Sequence, residues 1–200
     1  YEGAEDASIL IENNTVVDFP YRAIDIDCDN SSSYASTVSI DRDVTIRGNT
    51  FVSSNDRYVG DVDLFVRQGS GQQTVVFENN TMEGCRAFAV SAAAGSGAEV
   101  SIDVTISGNE GEDCDDGLRA YAYAFYGGAV DGTIDIRNNS LSMKDGSGIT
   151  CYSGITSVGY MDVDVTIDSN GLMGGDRGIR WGGYARSSSS SSYPPRSEDA

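Results

Sequence analysis

An eight-residue segment recurs along the chain at two nested spacings, and this repeat limits the fold more than any other feature. The segment DVTIRGNT at 43–50 returns as DVTISGNE at 103–110 and as DVTIDSNG at 164–171. Weaker copies, TVVFENNT at 74–81 and TIDIRNNS at 133–140, lie about halfway between them. Repeats of about 20 to 50 residues are typical of proteins built from stacked supersecondary units. We therefore expect a repeat array rather than a mixed globular domain.

Alignment on a large hydrophobic residue followed three positions later by asparagine gives six units. Successive asparagines are separated by 35, 31, 29, 30 and 31 residues. Within each unit, apolar and polar residues alternate, as in VTI and IDI, which is the periodicity of a β-strand with one buried face. A second apolar strand follows most asparagines, as in RAFAV at 86–90 and GITCY at 148–152. The aligned pairs are Ile11/Asn14, Ile46/Asn49, Phe77/Asn80, Ile106/Asn109, Ile136/Asn139 and Ile167/Asn170.

This pattern resembles the right-handed parallel β-helix, the fold of the pectate-lyase-like superfamily and of many surface adhesins. The resemblance rests on the Ile-x-x-Asn turn and the GI-type strand after it, and it covers roughly residues 8–184. We predict an all-β chain with an N-terminal extension at 1–7 and a right-handed parallel β-helix (solenoid) of about six coils of ~30 residues at 8–185. A Ser/Pro-rich extended tail at 186–200 could dock on a neighbouring subunit. The six asparagines are expected to form a hydrogen-bonded ladder.

Stacked coils would place equivalent residues ~4.8 Å apart, so the sequence also predicts which side chains are neighbours. In two outward rows, charged neighbours either alternate in sign or are separated by threonine, as cross-strand pairing favours. A third row alternates asparagine with glycine or serine, so the repeating unit is a pair of coils of about 60 residues. The two charged rows read Glu12, Arg47, Glu78, Ser107, Arg137, Asp168 and Asp43, Thr74, Asp103, Thr133, Asp164.

The acidic composition limits the partners. The net charge is −18, from 31 acidic and 13 basic residues, and such a surface repels nucleic acid and anionic membranes. No apolar run approaches the length needed to span a bilayer. Lys144 is the only lysine, and the many aspartates with arginine in place of lysine resemble proteins of salt-loving archaea. Concentrated salt shortens the Debye length to about 3 Å at 1 M, so dense carboxylates repel each other little. An ordinary acidic secreted protein is the alternative.

The four cysteines yield two predictions. Cys85 and Cys114 each lie five residues after the ladder asparagine of adjacent coils, within the Cα separation that a disulfide accepts, so we predict that bond. Cys28 and Cys151 lie four coils apart, ~19 Å by the stacking rise, and are expected to be small buried hydrophobic residues. One disulfide favours an extracellular or cell-surface location.

Four N-x-Ser/Thr sequons are candidates for glycosylation. Three of them occupy the same turn position in odd-numbered coils. The even-numbered coils carry Gly48, Gly108 or Ser169 there, which would leave room for a glycan. Ordinary turn asparagines are the alternative. The candidate residues are Asn13, Asn30, Asn79 and Asn138.

The segment EDCDDGLRAY at 112–121 is the best candidate for catalysis. It resembles the paired-aspartate segment of polygalacturonase-type hydrolases, in which carboxylates act as acid and base, and Asp115 and Asp116 would carry those roles here. The chain has no histidine, so the histidine motif of that family is missing. A lyase would instead need calcium on the carboxylates and Arg119 as the base. We favour the alternative, a polar turn before a structural strand.

Aromatic residues gather in the later coils, and the carboxylates form outward rows. Aromatic side chains that face outward could bind sugar rings or a partner subunit, whereas inward-facing ones would only stabilise the coil. We predict no cofactor, although calcium could bind loosely to the carboxylate rows. The aromatic patch comprises Tyr121, Tyr152, Trp181 and Tyr184, and the carboxylates are Asp41, Asp43, Asp131, Asp162 and Asp164.

Together these features predict a non-enzymatic, extracellular structural or adhesive β-helix. Because a β-helix has two open ends that would template further strands, we expect self-association end to end, with the tail contributing, into a filament or surface fibre. Glycans are a further expected partner, whereas nucleic acid binding and membrane insertion are not expected. The alternatives are a lyase or hydrolase acting on acidic glycans, a carbohydrate-binding fibre module, and a fragment of a longer β-helix.

Overall fold

The chain forms a parallel β-helix. The computed structural model describes residues 4–30 and 39–186, and its eighteen strands form three parallel six-stranded sheets. Each coil contributes one strand to each sheet, so the eighteen strands make six coils, and the predicted six-coil solenoid is confirmed. The described residues form strands joined by turns and short irregular segments, and none of them forms a helix long and apolar enough to cross a membrane.

Every strand pairs with the strand three places further along the chain. Sheet A contains β1 (Ala4–Glu12), β4 (Ser39–Arg47), β7 (Ser70–Glu78), β10 (Glu99–Ser107), β13 (Ala129–Arg137) and β16 (Tyr160–Asp168). Sheet B contains the short strands β2 (Thr15–Val17), β5 (Thr50–Val52), β8 (Thr81–Glu83), β11 (Glu110–Cys114), β14 (Ser140–Met143) and β17 (Gly171–Gly174). Sheet C contains β3 (Arg22–Asn30), β6 (Tyr58–Val66), β9 (Arg86–Ala94), β12 (Leu118–Phe125), β15 (Ser147–Thr156) and β18 (Arg177–Arg186).

The hydrophobic residue of the repeat forms one continuous inward row of sheet A. Because side chains alternate along a strand, the residues two positions earlier form a second inward row. These rows meet the inward side chains of sheets B and C in a single core, where Phe77 stacks on Phe88 with ring centroids 3.7 Å apart. Burying a side chain of this size stabilises the fold by about 1.5–3 kcal/mol. The row pairs Ile11, Ile46, Phe77, Ile106, Ile136 and Ile167 in register.

The two charged rows predicted from the sequence lie in the predicted register. Arg47 donates to Glu12 of the first coil at 2.8 Å, as the alternation of sign suggests. Arg137 instead pairs with Asp135 on its own strand at 2.7 Å. The alternation is not general, because Asp6 lies beside Asp41, and Asp131 beside Asp162, in another outward row. Sheet A therefore presents a strongly acidic outer face.

The β-helix begins earlier than the sequence suggests. Residues 4–7 lie within the predicted N-terminal extension, but they belong to β1 because they pair in register with residues 39–42 of β4. At the other end, β18 runs to Arg186, one residue beyond the predicted boundary. The Ser/Pro-rich tail after residue 186, and its predicted docking on a neighbouring subunit, lie outside the described residues.

Candidate functional site

The ladder asparagines join the coils at the turn between sheets A and B. In each internal rung, the backbone N–H and the side-chain Nδ2 both donate to Oδ1 of the asparagine in the following coil. For Asn80 and Asn109 these distances are 2.9 and 3.1 Å. Nδ2 also donates to the carbonyl of the aligned hydrophobic residue one coil back, as Asn109 does to Phe77 at 3.0 Å. The four internal asparagines are buried and have every hydrogen-bonding group of the side chain satisfied. They are Asn49, Asn80, Asn109 and Asn139, lying between Asn14 and Asn170 at the ends.

The residue before each ladder asparagine adopts a left-handed backbone conformation in all six coils. Asparagine and glycine tolerate this conformation best, which explains why they alternate here. A Cβ atom at Gly48 would lie 2.7 Å from Oδ1 of Asn13, and one at Gly108 would lie 2.5 Å from Oδ1 of Asn79. Each asparagine side chain therefore leans over the small residue of the next coil. The six φ angles are 57° at Asn13, 62° at Gly48, 54° at Asn79, 65° at Gly108, 55° at Asn138 and 54° at Ser169.

This backbone requirement accounts for three of the four sequons. Asn13, Asn79 and Asn138 are exposed, as a glycan would require, but their conformation gives each a structural reason to be asparagine. Asn30 ends β3, and the rest of its sequon lies outside the described residues. Glycosylation therefore stays a prediction.

The predicted disulfide between Cys85 and Cys114 is wrong, because both thiols are free in the structure. The two residues follow equivalent turns, but each thiol turns back toward the preceding coil rather than toward the other cysteine. Cys85 Sγ lies 3.4 Å from the carbonyl oxygen of Phe51, and Cys114 Sγ lies 3.8 Å from that of Met82. Cys28 and Cys151 are free as well, the first half-buried and the second buried as expected.

Burial makes the three inner thiols poor nucleophiles. Removal from water raises the pKa of Cys85 to about 12, and the neighbouring Cys114 adds to this rise. The same cause raises the pKa of Cys114 to about 11 and that of Cys151 to about 12. Since the thiolate is the reactive form, these cysteines serve as packing residues.

The candidate catalytic aspartates are held in a charge cluster that joins three coils. Asp116 accepts a hydrogen bond from Arg119 Nη2 at 2.8 Å and lies 3.8 Å from Arg86 Nη2 in the previous coil. The backbone N–H of Ser147, in the following coil, donates to the other carboxylate oxygen at 3.3 Å. Asp115 is half-buried beside it, and Arg119 is almost fully buried. The cluster therefore links neighbouring coils, which matches the structural alternative.

Sheet C carries an aromatic outer face that is larger than the predicted patch. Tyr121 lies beside Tyr152 in register, as predicted. Tyr123 stacks between Tyr121 and Phe125, with ring centroids 6.2 and 5.7 Å away and planes 15° apart. Burial raises the pKa of both Tyr121 and Tyr123, although Arg119 partly offsets this for Tyr121. The face is thus a packed aromatic layer rather than a set of isolated rings.

Glycines make room for these rings on the sheet. A Cβ at Gly154 would lie 2.8 Å from the Tyr184 ring and 2.9 Å from the Tyr123 ring, and one at Gly182 would lie 2.8 Å from the Tyr152 ring. The rings therefore lean over bare backbone in the adjacent coil, where any side chain would displace them.

Of the four residues in the predicted aromatic patch, Trp181 takes the inward-facing alternative. Trp181 pairs with the buried Cys151, so it occupies an inward position of the last coil. Together with Met161 and Val163 it lines a cavity of about 200 Å³ at that end of the solenoid. Alternation along β18 assigns Tyr184 to the other face, where its ring centroid lies 5.8 Å from that of Tyr152.

Both ends of the solenoid are open in the part of the chain that the structure describes. Strands β16, β17 and β18 form one edge of their sheets, and β1, β2 and β3 form the other. Inward residues of the last coil are exposed, 53% for Ile179 and 58% for Trp181. Nine large hydrophobic side chains in the described residues are exposed, and seven lie in the terminal coils, which marks the ends as the apolar surfaces of the molecule. The seven are Leu10, Val17, Tyr21, Tyr160, Met173, Ile179 and Trp181.

The outward carboxylates of sheet A that the structure describes come together in pairs at most, as Asp131 does with Asp162. Asp41 Oδ1 accepts from the backbone N–H of Gln72 at 2.8 Å, and Asp103 accepts from the Thr133 hydroxyl at 3.2 Å. Among the described residues, no three acidic or cysteine side chains converge as a metal site would require. Loose calcium binding to these rows stays a prediction.

Comparison with known proteins identified no similar family: no protein-family model, curated protein or solved structure matches the chain. The parallel β-helix is therefore established by the strand pairing described above.

Proposed function

We propose that the chain is a non-enzymatic structural β-helix, secreted or displayed at the cell surface, whose copies join end to end into a filament. In this respect it resembles the non-catalytic surface β-helices of the pectate-lyase-like superfamily. The observation that carries the proposal is the apolar last coil. Its inward residues Ile179 and Trp181 are exposed, and the three strands of that coil have no partner on their outer edge among the described residues.

An unpaired parallel strand edge above an exposed core favours the addition of another strand layer. Val165 is half-buried in the last coil, whereas Ile134, its neighbour one coil earlier, is buried, so a further coil would complete the burial. A second copy can supply that layer, because its first coil has the same three-strand outline.

A structural role also agrees with the state of the candidate catalytic residues. Asp116 contacts two arginines and one backbone N–H, so its carboxylate is committed to cross-coil contacts. An acid or base that turns over substrate needs a carboxylate that is free to exchange its proton with that substrate.

The extracellular and salt-rich setting is part of this proposal, and its support is compositional. The net charge of −18 suits a protein that stays dispersed in concentrated salt. The free state of Cys85 and Cys114 removes the disulfide from the arguments for secretion.

Electron microscopy and fibre diffraction of the purified chain test the proposal. We expect rods with a ~4.8 Å layer line. Trp181→Lys places a charge in the exposed core of the last coil and should abolish the rods. Tyr126→Lys is the matched control, because Tyr126 is similarly exposed, 56% against 58%, but follows β12 in an internal coil. Monodisperse short particles at every salt concentration would contradict the proposal.

A carbohydrate-binding module is the second candidate, and the aromatic face of sheet C favours it. Tyr123, Tyr152 and Tyr184 are half-buried, so part of each ring faces outward and could stack on sugar rings. Isothermal titration against a panel of neutral and acidic polysaccharides tests it, with Tyr152→Ala as the variant. Turnover of an acidic polysaccharide that disappears in Asp116→Asn would instead support the lyase or hydrolase alternative.

A further inference from the structure

We infer that copies of this chain stack head to tail and in register, with the last coil of one copy continuing directly into the first coil of the next. This inference rests on the proposed filament and adds the polarity and register of the junction. The strands that would meet have nearly equal lengths: β16 and β1 have nine residues each, and β18 and β3 have ten and nine. In-register stacking places Asp168 over Glu12 and Arg180 over Asp25.

The asparagine ladder gives the junction its direction. In every rung, Nδ2 of one ladder asparagine donates to Oδ1 of the asparagine in the following coil. Within the described strands and turns, no ladder asparagine donates to Oδ1 of the asparagine in the preceding coil. In the described residues, Asn14 Oδ1 accepts no hydrogen bond, while the backbone N–H of Asn170 has no partner. The last coil therefore offers donors and the first coil offers an acceptor. Head-to-tail stacking joins them, whereas head-to-head stacking would bring two acceptors together.

The alternation of large and small residues at the left-handed turn position also continues across this junction. Within the chain, each large residue at this position leans over a small one in the following coil. The series begins with Asn13 and ends with Ser169, because the number of coils is even. A second copy therefore follows the small Ser169 with the large Asn13, and the alternation of sizes is maintained.

Exposed apolar residues also meet in this register. On the outer face of sheet B, Val17 of the first coil is 56% exposed and Met173 of the last coil is 69% exposed. Each is the third residue of its strand, so stacking β17 on β2 with their first residues aligned would place one over the other. Stacking brings Met173 beside Val17 and removes both from water.

Charge selects the register but opposes association at low salt. In the outer row of sheet C, the first coil carries Asp25 and the last carries Arg180, so stacking pairs opposite charges. Elsewhere the junction pairs like charges. Asp168 meets Glu12, Asp162 meets Asp6, and Arg177 meets Arg22, whose charge is already neutralised by Asp61 at 2.7 Å. Assembly therefore requires salt, and the Arg180–Asp25 contact is its specific attraction.

A charge-swap experiment on the full chain tests the junction. Asp25 and Arg180 are both exposed, so reversing either charge leaves the core intact. At the lowest salt at which the wild type assembles, Asp25→Arg and Arg180→Asp should each raise the critical concentration roughly tenfold, since a surface pair contributes up to about fivefold and reversal adds repulsion. A mixture of the two variants should copolymerise at about the wild-type concentration. Glu99→Arg, an equal charge change in an internal coil, is the control.

Each outcome is decisive. Rescue in the mixture but not in either variant alone supports the inferred junction. Unchanged assembly of the single variants, or failure of the mixture while the wild type forms rods, overturns the junction and leaves the proposed function standing. A wild type that stays monomeric at every salt concentration overturns the proposed function and the junction together. Circular dichroism and thermal unfolding of each variant confirm that the fold is retained.

Discussion

At the scale of single residues, the ladder asparagine combines three tasks in one side chain. It accepts two hydrogen bonds from the preceding coil, donates one to the following coil, and donates another to a carbonyl one coil back. Only a planar amide, which has an acceptor oxygen and two N–H donors, can make all these bonds from so short a side chain. Aspartate lacks the donors and would bring a charge into a site from which water is excluded.

Asn109→Ala is expected to lower the free energy of unfolding by about 3 kcal/mol, because it leaves two N–H groups of Asn80 buried without partners and removes one hydrogen bond to the Phe77 carbonyl. Urea denaturation followed by circular dichroism measures this. Asn14→Ala, at the exposed end of the ladder, should cost less than about 1 kcal/mol. Equal losses in the two variants would show that burial of the ladder does not matter.

The buried thiols predict a loss of stability in alkali. The folded chain binds the protons of Cys85, Cys114 and Cys151 more tightly than the unfolded chain, whose thiols have a pKa near 9.0. Their stabilising contribution is therefore complete below pH 9.0 and is lost as the pH rises toward 11 to 12. We expect a fall of about 2 kcal/mol per thiol between pH 8 and pH 10.5.

Denaturation of the triple variant Cys85→Ala, Cys114→Ala, Cys151→Ala should show a flatter dependence on pH over the same range. Cys28, Tyr121 and Tyr123, whose pKa values are also raised by burial, contribute to the slope that remains. At pH 8, an alkylating reagent should modify the half-buried Cys28 of the native wild type before the three buried cysteines. Rapid modification of all four thiols would contradict the burial of the three.

At the scale of the strands and turns, the asparagine spacing was enough to predict the sheets and their register. The rule failed where the direction of a side chain decides the outcome. Cys85 and Cys114 have the same place in successive turns, but that place directs both thiols toward backbone carbonyls rather than toward each other. The inward position of Trp181 was predictable, since aligning GIRW at 178–181 with GITC at 148–151 already pairs it with Cys151.

The outer aromatic face was only partly predictable. Tyr123 and Phe125 follow Tyr121 at alternate positions of one strand, so their shared face can be read from the sequence. The contribution of Phe65 cannot be read from the sequence, because Phe65 lies two coils from Phe125. Its ring contacts Phe125 by leaning over Gly95, with ring centroids 6.3 Å apart. Contacts that skip a coil depend on how a ring leans, and no periodicity records that.

The turn before β12 supplies a test of its structural role. Asp116→Asn should lower the free energy of unfolding by about 1–3 kcal/mol, because it removes the charge that holds Arg119 and Arg86. Asp115→Asn is the matched control in the same turn and should change stability by less than about 0.5 kcal/mol. Thermal and urea unfolding of both variants provide the comparison. Equal stability of the two variants would show that Asp116 does not hold the coils together.

At the scale of the whole molecule, some acidic residues of neighbouring coils lie side by side without a basic residue to balance their charge. Neighbouring coils place Asp6 beside Asp41, and Asp131 beside Asp162, with no basic side chain between them in the register. Such pairs repel at the ~4.8 Å spacing of stacked strands, and dissolved salt screens that repulsion. The molecule is therefore built with a surface that low ionic strength destabilises.

Raising NaCl from 0.1 M to 2 M should increase the free energy of unfolding by more than about 1 kcal/mol, since the Debye length falls from about 10 Å to below about 3 Å. Differential scanning calorimetry measures the change, with sucrose of equal osmolality as the control for general solvent effects. Asp131→Asn removes one like-charge pair and should reduce the salt dependence. An equal response to salt and to sucrose would exclude screening as the cause.

The one-way hydrogen bonding of the ladder has a consequence for how a rod would grow. Every side-chain carbonyl of the ladder points toward the first coil, and every matching N–H points toward the last. A rod of stacked copies would therefore have the same polarity in every layer. Its two tips would be different chemical surfaces, one presenting the backbone N–H of Asn170 and the other presenting Oδ1 of Asn14. Subunits would then arrive and leave at the two tips at unequal rates, and a rod that lengthened mainly at one tip would keep its oldest subunit at the other.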